Sequence, residues 1–155
     1  MELQAVEVSQ SAQDKFREYL ASRARPQRFT GQQREMIRFI FSQHEHFDAE
    51  ELCEEMRRQG SQVSRATVYR TLNKMVDAGL LRCIDVGQRA CYEQDYGYPQ
   101  HDHLHCERCK KRIEFQDPEI ERVIAAVSQQ YQFQVKKHSL IVRGICAQCN
   151  QARTI

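Results

Sequence analysis

Apolar residues recur every three or four positions in four stretches of the first half of the chain, which predicts four helices. The third and fourth stretches each begin after a residue that caps helix N-termini, Asp48 and Ser64. Each of the two ends at a glycine, Gly60 and Gly79, where a helix C-terminus favours that residue. The predicted helices cover residues 9–22, 31–43, 49–59 and 65–78.

The fourth helix divides into an apolar and a polar side. Val68, Leu72 and Met75 have the spacing of a core face, which turns Tyr69 and Arg70 to the opposite side. A short turn joins this helix to the third one, as in a helix-turn-helix, whose second helix enters the major groove of DNA.

Two alternating stretches come next, residues 80–85 and 90–93, and they predict strands joined by a turn at residues 86–89. A hairpin directly after a helix-turn-helix is typical of a winged helix. The segment 95–100 then carries Gly97 and Pro99 and predicts a connector between two domains.

The second half has fewer helical and more alternating patterns. It predicts a helix at residues 119–131 with a buried stripe of Ile120, Val123, Ile124 and Val127. Strands are predicted at residues 112–116, 133–136 and 139–145. The expected fold class is therefore α+β, with a winged helix-turn-helix domain at residues 1–95 and a small α/β domain at residues 96–155.

Composition is that of an ordinary water-soluble chain, with 41% hydrophobic and 28% charged residues among 155. No apolar run approaches the roughly 18 residues that a membrane helix needs, so a cytoplasmic protein without membrane contact is expected. The net charge of +2 does not by itself indicate a nucleic-acid partner. Residues 56–76, however, contain five basic residues and no acidic one, which favours a phosphate-contacting element.

Seven cysteines are present, and four of them form two Cys-x-x-Cys pairs. Four thiolates in two such pairs suit a closed tetrahedral zinc site, made of Cys106, Cys109, Cys146 and Cys149. Disulfides are the alternative, which a reducing compartment disfavours. Cys53, Cys83 and Cys91 are expected to be small, half-buried apolar side chains.

A second metal chemistry precedes the first cysteine pair. His101, Asp102 and His103 offer imidazole nitrogen and carboxylate oxygen within three residues. Such a mixture suits an exchangeable divalent ion such as Fe(II), Mn(II) or Zn(II). His105 is interpreted as a neutral side chain beside the cysteine cluster and not as a ligand.

Together these motifs resemble the ferric uptake regulator family. The resemblance rests on Ala66-Thr67-Val68-Tyr69-Arg70-Thr71-Leu72, on Gly79-Leu80 and on His101-Asp102-His103-Leu104-His105-Cys106-x-x-Cys109. It implies a metal-responsive transcriptional repressor that binds palindromic operator DNA. It also implies that the second domain forms a homodimer, with a tetramer left open.

The resemblance also implies ligand sets. The regulatory site would consist of His46, Glu93, His101, His103 and Glu114. Many relatives have a further site, which here would use Asp102, Glu121 and His138. That additional site is incomplete in this sequence, because Gln100 stands where those relatives have histidine.

For DNA, the resemblance implies that the helix capped by Ser64 enters the major groove. There the tyrosine matching Tyr69 contacts bases, partly through thymine methyl groups, and Arg28 matches a basic residue placed against the minor groove. The expected DNA-binding residues are Arg28, Ser64, Arg65, Thr67, Tyr69 and Arg70.

Nitrogen and oxygen ligands favour Fe(II) as the sensed metal where free zinc is scarce. A zinc sensor is the first alternative, with Cys91 two residues from Glu93 as a candidate ligand, and manganese or peroxide sensing follows. Peroxide sensors usually carry aspartate where Glu114 stands. A metal-dependent hydrolase is the alternative of another class, but the sequence shows neither a nucleophile elbow nor a phosphate loop, so no enzyme is expected.

Overall fold

The computed structural model describes residues 6–43, 46–86 and 89–152. The chain forms two compact units, one covering the described residues up to Tyr98 and the other those from Pro99 onward. Two sequence predictions extend outside the described residues. They are the loop at residues 44–47, of which 44 and 45 are not described, and the wing turn, of which 87 and 88 are not described.

The described residues of the N-terminal unit form four helices and one small sheet, and all four helices predicted from the sequence are confirmed. The sheet is antiparallel with the strand order β1-β3-β2. Its two long strands are the predicted wing, whereas the two-residue β1 lies where a loop was expected and pairs with β3. The elements are α1 Ala12–Ser22, α2 Gly31–Phe41, β1 Phe47–Asp48, α3 Ala49–Arg58, α4 Arg65–Asp77, β2 Leu81–Val86 and β3 Arg89–Gln94.

Local signals set the ends of these helices. The Asp48 side chain accepts from two backbone N–H groups of the first turn of α3, and the Ser64 hydroxyl accepts from the Thr67 N–H at the start of α4. Gly60 and Gly79 follow α3 and α4 with φ angles of +83° and +67°. Residues with a Cβ rarely adopt this left-handed conformation, so glycine is the residue that ends both helices at the predicted places.

Helix α1 belongs to the hydrophobic core of the N-terminal unit. Phe16 and Leu20 are fully buried there together with Met36, Leu72 and Met75. The sequence did not indicate a role for residues 9–22, which precede the winged helix. Their apolar side chains complete the core on which α4 is held.

The C-terminal unit is built on a three-stranded sheet with the order β5-β4-β6, in which β4 and β6 run parallel. The strand predicted at residues 133–136 is wrong, because the structure describes this segment and it forms no strand. A short helix that was not predicted begins directly after Cys146 and contains Cys149. The elements are β4 Asp102–Cys106, β5 Arg112–Phe115, α5 Pro118–Gln130, β6 Ile141–Gly144 and α6 Ala147–Gln151.

The predicted helix at residues 119–131 exists as α5, but its expected buried stripe is wrong for the single chain. No residue of α5 is buried. Val123 and Val127 are 62% and 49% exposed, and Ile120 and Ile124 are only half-buried. Periodicity shows that one side of a helix is apolar, but it does not show whether the same chain covers that side.

None of the helices in the described part of the chain combines the length and the apolar character needed to cross a membrane.

Candidate metal centres and nucleic-acid interface

The four predicted zinc ligands come together in the C-terminal unit. The sulfur atoms of Cys106, Cys109, Cys146 and Cys149 all lie within 4.8 Å of one another. The sulfurs of Cys109 and Cys146 are 3.7 Å apart. Tetrahedral zinc with Zn–S bonds of about 2.3 Å separates its sulfurs by roughly 3.8 Å, so the cluster suits structural zinc.

The thiols of this cluster are electrostatically linked. Backbone N–H groups, first that of Cys146 at 3.3 Å, lower the pKa of Cys106 to about 6. The Cys149 thiol donates hydrogen bonds to the sulfurs of Cys109 and then Cys146, and these bonds raise its pKa to about 12. Several thiolates this close repel one another, and a divalent cation removes that repulsion by binding all four.

The three remaining cysteines do not share one environment. Cys53 and Cys91 are buried, as small apolar side chains would be, and burial raises the pKa of Cys53. Cys83 is exposed, so the expectation of a half-buried residue is wrong there. It lies on β2, whose pattern did not show which face the sheet turns outward.

Two of the predicted sensing residues pair within the N-terminal unit. His46 Nε2 lies 2.7 Å from Glu93 Oε2, and both side chains are largely buried. Arg82 lies 3.6 Å from the other Glu93 oxygen and 2.7 Å from Asp95. The pair joins the segment before β1 to the end of the wing, because β1 and β3 are hydrogen-bonded neighbours.

The other three sensing residues lie in the C-terminal unit. His103 is directly opposite Glu114 in the antiparallel pair of β4 and β5. The His101 ring lies beside the His103 ring, with centroids 5.0 Å apart. His101 Nδ1 donates to the Pro99 carbonyl at 2.9 Å. The neutral ring therefore carries its proton on Nδ1 and its lone pair on Nε2, and this tautomer can bind a metal through Nε2.

The predicted additional site is assembled only in part. His138 Nε2 lies 3.4 Å from the Asp102 carboxylate, which also accepts from the Leu140 N–H. The Gln100 amide donates to the His138 carbonyl at 2.9 Å. Glu121, exposed on α5, belongs to no cluster of metal-binding side chains among the described residues.

His105 agrees with its interpretation as a neutral residue beside the cysteine cluster. It is buried next to Cys106, and burial lowers its pKa. A lowered pKa favours the uncharged imidazole at neutral pH.

The exposed side of α4 carries the predicted DNA-binding residues. Tyr69 is 43% exposed, and Arg65 and Arg70 are also exposed. Arg70 donates from Nε to the Ala66 carbonyl at 3.2 Å, which holds its guanidinium along the helix. Arg28, in the connector between α1 and α2, is exposed as well.

Sequence reasoning missed one residue of this surface, Glu50. Its carboxylate accepts the Tyr69 hydroxyl at 2.9 Å and forms an ion pair with Arg65. The hydrogen bond to Glu50 raises the pKa of Tyr69. The sequence places Glu50 in the first turn of α3 as an acidic residue. It does not show which side chains of another helix Glu50 contacts.

The chain thus combines a winged helix-turn-helix unit with an α/β unit that carries a four-cysteine cluster, which is the architecture expected of a metal-responsive winged-helix regulator. The sequence model of the ferric uptake regulator family matches residues 25–143. The chain therefore belongs to the ferric uptake regulator family, and it is a regulator of that metal-responsive type.

Individual relatives agree with this placement. The chain is 30% identical over 128 residues to the ferric uptake regulation protein of Campylobacter jejuni, covering 81% of this chain and 82% of that one. Its fold is similar to that of the Helicobacter pylori ferric uptake regulator, described with three functional metal binding sites, with a TM-score of 0.77, 25% identity and coverage of 96% and 97%. It is also similar to a zinc-bound manganese uptake regulator, with a TM-score of 0.59, 28% identity and coverage of 88% and 99%.

Proposed function

We propose that this protein is an iron-responsive transcriptional repressor, and not an enzyme. With Fe(II) at the regulatory site, a homodimer binds palindromic operator DNA in the cytoplasm. Residues 1–95 act as the DNA-binding domain and residues 96–155 as the metal-binding dimerisation domain. The observation that carries the proposal is the contact between His46 and Glu93, an imidazole and a carboxylate of the kinds that ligate divalent metals, which joins the segment before β1 to the end of the wing.

The regulatory site would combine ligands from both domains. The N-terminal domain contributes His46 and Glu93, and the C-terminal domain contributes His101, His103 and Glu114. Within each domain these side chains are already neighbours, which lowers the entropy lost on binding. A shared ion would then favour one orientation of the DNA-binding domain, which is how occupancy becomes a change in DNA affinity.

The donor atoms support Fe(II) as the signal. The set contains imidazole nitrogens and carboxylate oxygens and no sulfur, and zinc would prevail only where its free concentration is high enough. The similarity to the ferric uptake regulation protein of Campylobacter jejuni favours the same choice. Zinc and manganese remain the alternatives, because a similar fold belongs to a zinc-bound manganese uptake regulator.

The cysteine cluster would hold a permanent zinc ion. Its four sulfurs suit a closed tetrahedral site, which leaves no ligand position for exchange. Among the described residues of the C-terminal unit, Cys106 is the only buried apolar side chain. The zinc would therefore stabilise a unit whose hydrophobic core is small.

For DNA, the exposed side of α4 supports the proposal. The N-terminal end of α4 carries Arg65 and Thr67, and Tyr69 and Arg70 follow on the same helix. Phosphate contacts by arginine position such a helix, and side chains reaching base edges specify the sequence. Arg28 and Ser64 complete the proposed set, with the Ser64 hydroxyl also serving as the helix cap.

The exposed apolar surface of the C-terminal unit supports a homodimer. Val123, Val127, Tyr131 and Phe133 are all about half-exposed or more. On the sheet, Leu104 is a direct neighbour of Ile113 and Val142, and all three are exposed. Monomeric proteins rarely leave such patches in water, so a second copy of this chain is the proposed cover.

Val127→Glu should weaken this dimer by at least about tenfold, because a carboxylate without a partner would have to leave water at the interface. Folding of the single chain should be unaffected, since the Val127 side chain is exposed. Sedimentation equilibrium measures the dissociation constant. Gln129→Glu places the same charge on the side of α5 turned away from Val127 and should leave association unchanged; equal weakening by both variants would mean that α5 is not the contact.

A metal-switched DNA titration tests the proposed function. Protein stripped of exchangeable metal but retaining its zinc is titrated onto a palindromic, A·T-rich duplex without oxygen. The titration is repeated with Fe(II) and with buffered free Zn(II) or Mn(II). Micromolar Fe(II) should switch binding on while sub-nanomolar Zn(II) does not. Activation by sub-nanomolar Zn(II) would instead make this a zinc sensor. If none of the metals increased DNA binding, the proposal would be overturned.

A further inference from the structure

Glu50 occupies both of its carboxylate oxygens with residues of the proposed DNA-reading helix. Oε1 accepts the hydroxyl of Tyr69 at 2.9 Å, and Oε2 pairs with the Arg65 guanidinium. Glu50 itself lies in the first turn of α3, the helix before the turn, so the contact bridges the two helices of the motif. An acidic side chain bound to two groups that are expected to approach DNA needs a functional explanation, because DNA is strongly negative.

We propose that Glu50 determines specificity in DNA binding: it restrains Arg65 from pairing with phosphates at random sites and fixes Tyr69 so that its ring, rather than its hydroxyl, faces the bases. This inference rests on the proposed DNA-binding function. Glu50 acts here through Arg65 and Tyr69 and is a positioning residue.

The effect on Arg65 is electrostatic. Each phosphate neutralised by an arginine strengthens binding to any DNA sequence, and that contribution dominates non-specific affinity. A DNA phosphate must displace the Glu50 carboxylate from the Arg65 guanidinium before it can form its own ion pair there. The negative carboxylate also repels the phosphate. Arg65 therefore adds little affinity to complexes with random DNA. As a result, the difference in affinity between operator and random DNA becomes larger.

The effect on Tyr69 is one of hydrogen-bond capacity. A phenol has a single O–H donor, and Glu50 takes it. The hydrogen bonds from Arg65 and then Tyr69 lower the pKa of Glu50, so the carboxylate is ionised at neutral pH and holds the phenol firmly. The ring remains exposed, and its apolar surface matches the thymine methyl group in the major groove.

The first experiment compares operator and random-sequence duplexes over a series of salt concentrations, using the full chain loaded with the activating metal. Glu50→Gln removes the charge but keeps an acceptor oxygen. Its affinity for random DNA should rise by about fivefold to tenfold, and its salt slope should steepen by about one, because one more arginine reaches a phosphate. The ratio of operator to random affinity should fall accordingly.

Two controls separate pairing from bulk charge. Glu54→Gln removes the same charge from an exposed position of the same helix and should leave the salt slope unchanged. In an Arg65→Gln background, Glu50→Gln should leave the salt slope unchanged, since the arginine that it would release is gone. An unchanged salt slope in Glu50→Gln, or an equal change in Glu54→Gln, would overturn the proposal.

The second experiment replaces operator thymines by uracils, which removes only the methyl groups. Wild type and Glu50→Gln should lose affinity to the same extent, because both keep an acceptor for Tyr69. Glu50→Ala should lose clearly less, since its freed tyrosine is no longer fixed against the methyl group. Equal losses in all three proteins would refute the role in fixing Tyr69. A wild type that does not prefer the operator under any metal would instead overturn the proposed function itself.

Discussion

The Cys109→Ser variant should be isolated without its structural zinc and with an unfolded C-terminal unit. Serine supplies no thiolate, so only three of the four clustered sulfurs remain. The effect should be large, because zinc contributes on the order of 10 kcal/mol or more in small structural sites. The described part of this unit offers little in its place, since α5 has no buried residue. Zinc content per chain and a thermal unfolding curve measure both effects.

Cys83→Ser provides the matched control. Cys83 is exposed on β2 of the other unit and lies outside the cluster, so this variant should keep one zinc ion and the unfolding curve of the wild type. The zinc assignment fails if Cys109→Ser still carries one zinc per chain and unfolds at the same temperature.

Replacing both His101 and His103 by alanine should abolish the metal-dependent gain in operator affinity. The two rings lie side by side, and the Pro99 carbonyl sets the tautomer of the first. Loss of both imidazoles removes two of the five proposed ligands, and what remains is mainly carboxylate. Coupling between an effector and a second ligand is typically about 5-fold to 150-fold in affinity, and this factor should fall to about one.

The measurement is the operator titration with and without Fe(II), accompanied by a zinc assay. The double variant should retain its structural zinc, which separates loss of sensing from loss of folding. His138→Ala reports separately on the additional site, because it leaves His101 and His103 in place. A double variant that responds to Fe(II) like the wild type would show that the sensing site lies elsewhere.

The helices of the N-terminal unit follow from local sequence signals. Periodic apolar positions, two side-chain caps and two glycines specify four helices within a few residues of their observed ends. These signals act between residues close in the chain, so they can be read without knowing the fold. The spacing of the two Cys-x-x-Cys pairs is equally local, and it identified the four sulfurs that the structure brings together.

The contacts between side chains that are distant in sequence depend on how the elements pack. His46 and Glu93 are 47 residues apart, and they touch only because β1 pairs with β3. Likewise Glu50 reaches Tyr69 and Arg65 because α3 packs against α4, and no pattern within α3 indicates its partner. Such contacts depend on packing between elements, which periodicity does not encode.

Burial in the C-terminal unit also differs from what the local sequence pattern indicates. The sequence determined that α5 has an apolar side, but the single chain leaves Val123 and Val127 in water. Residues 133–136 alternate in the manner of a strand, and yet they form no strand with any described residue of the chain. An apolar pattern indicates that burial of a surface is favourable. What covers that surface depends on the three-dimensional arrangement.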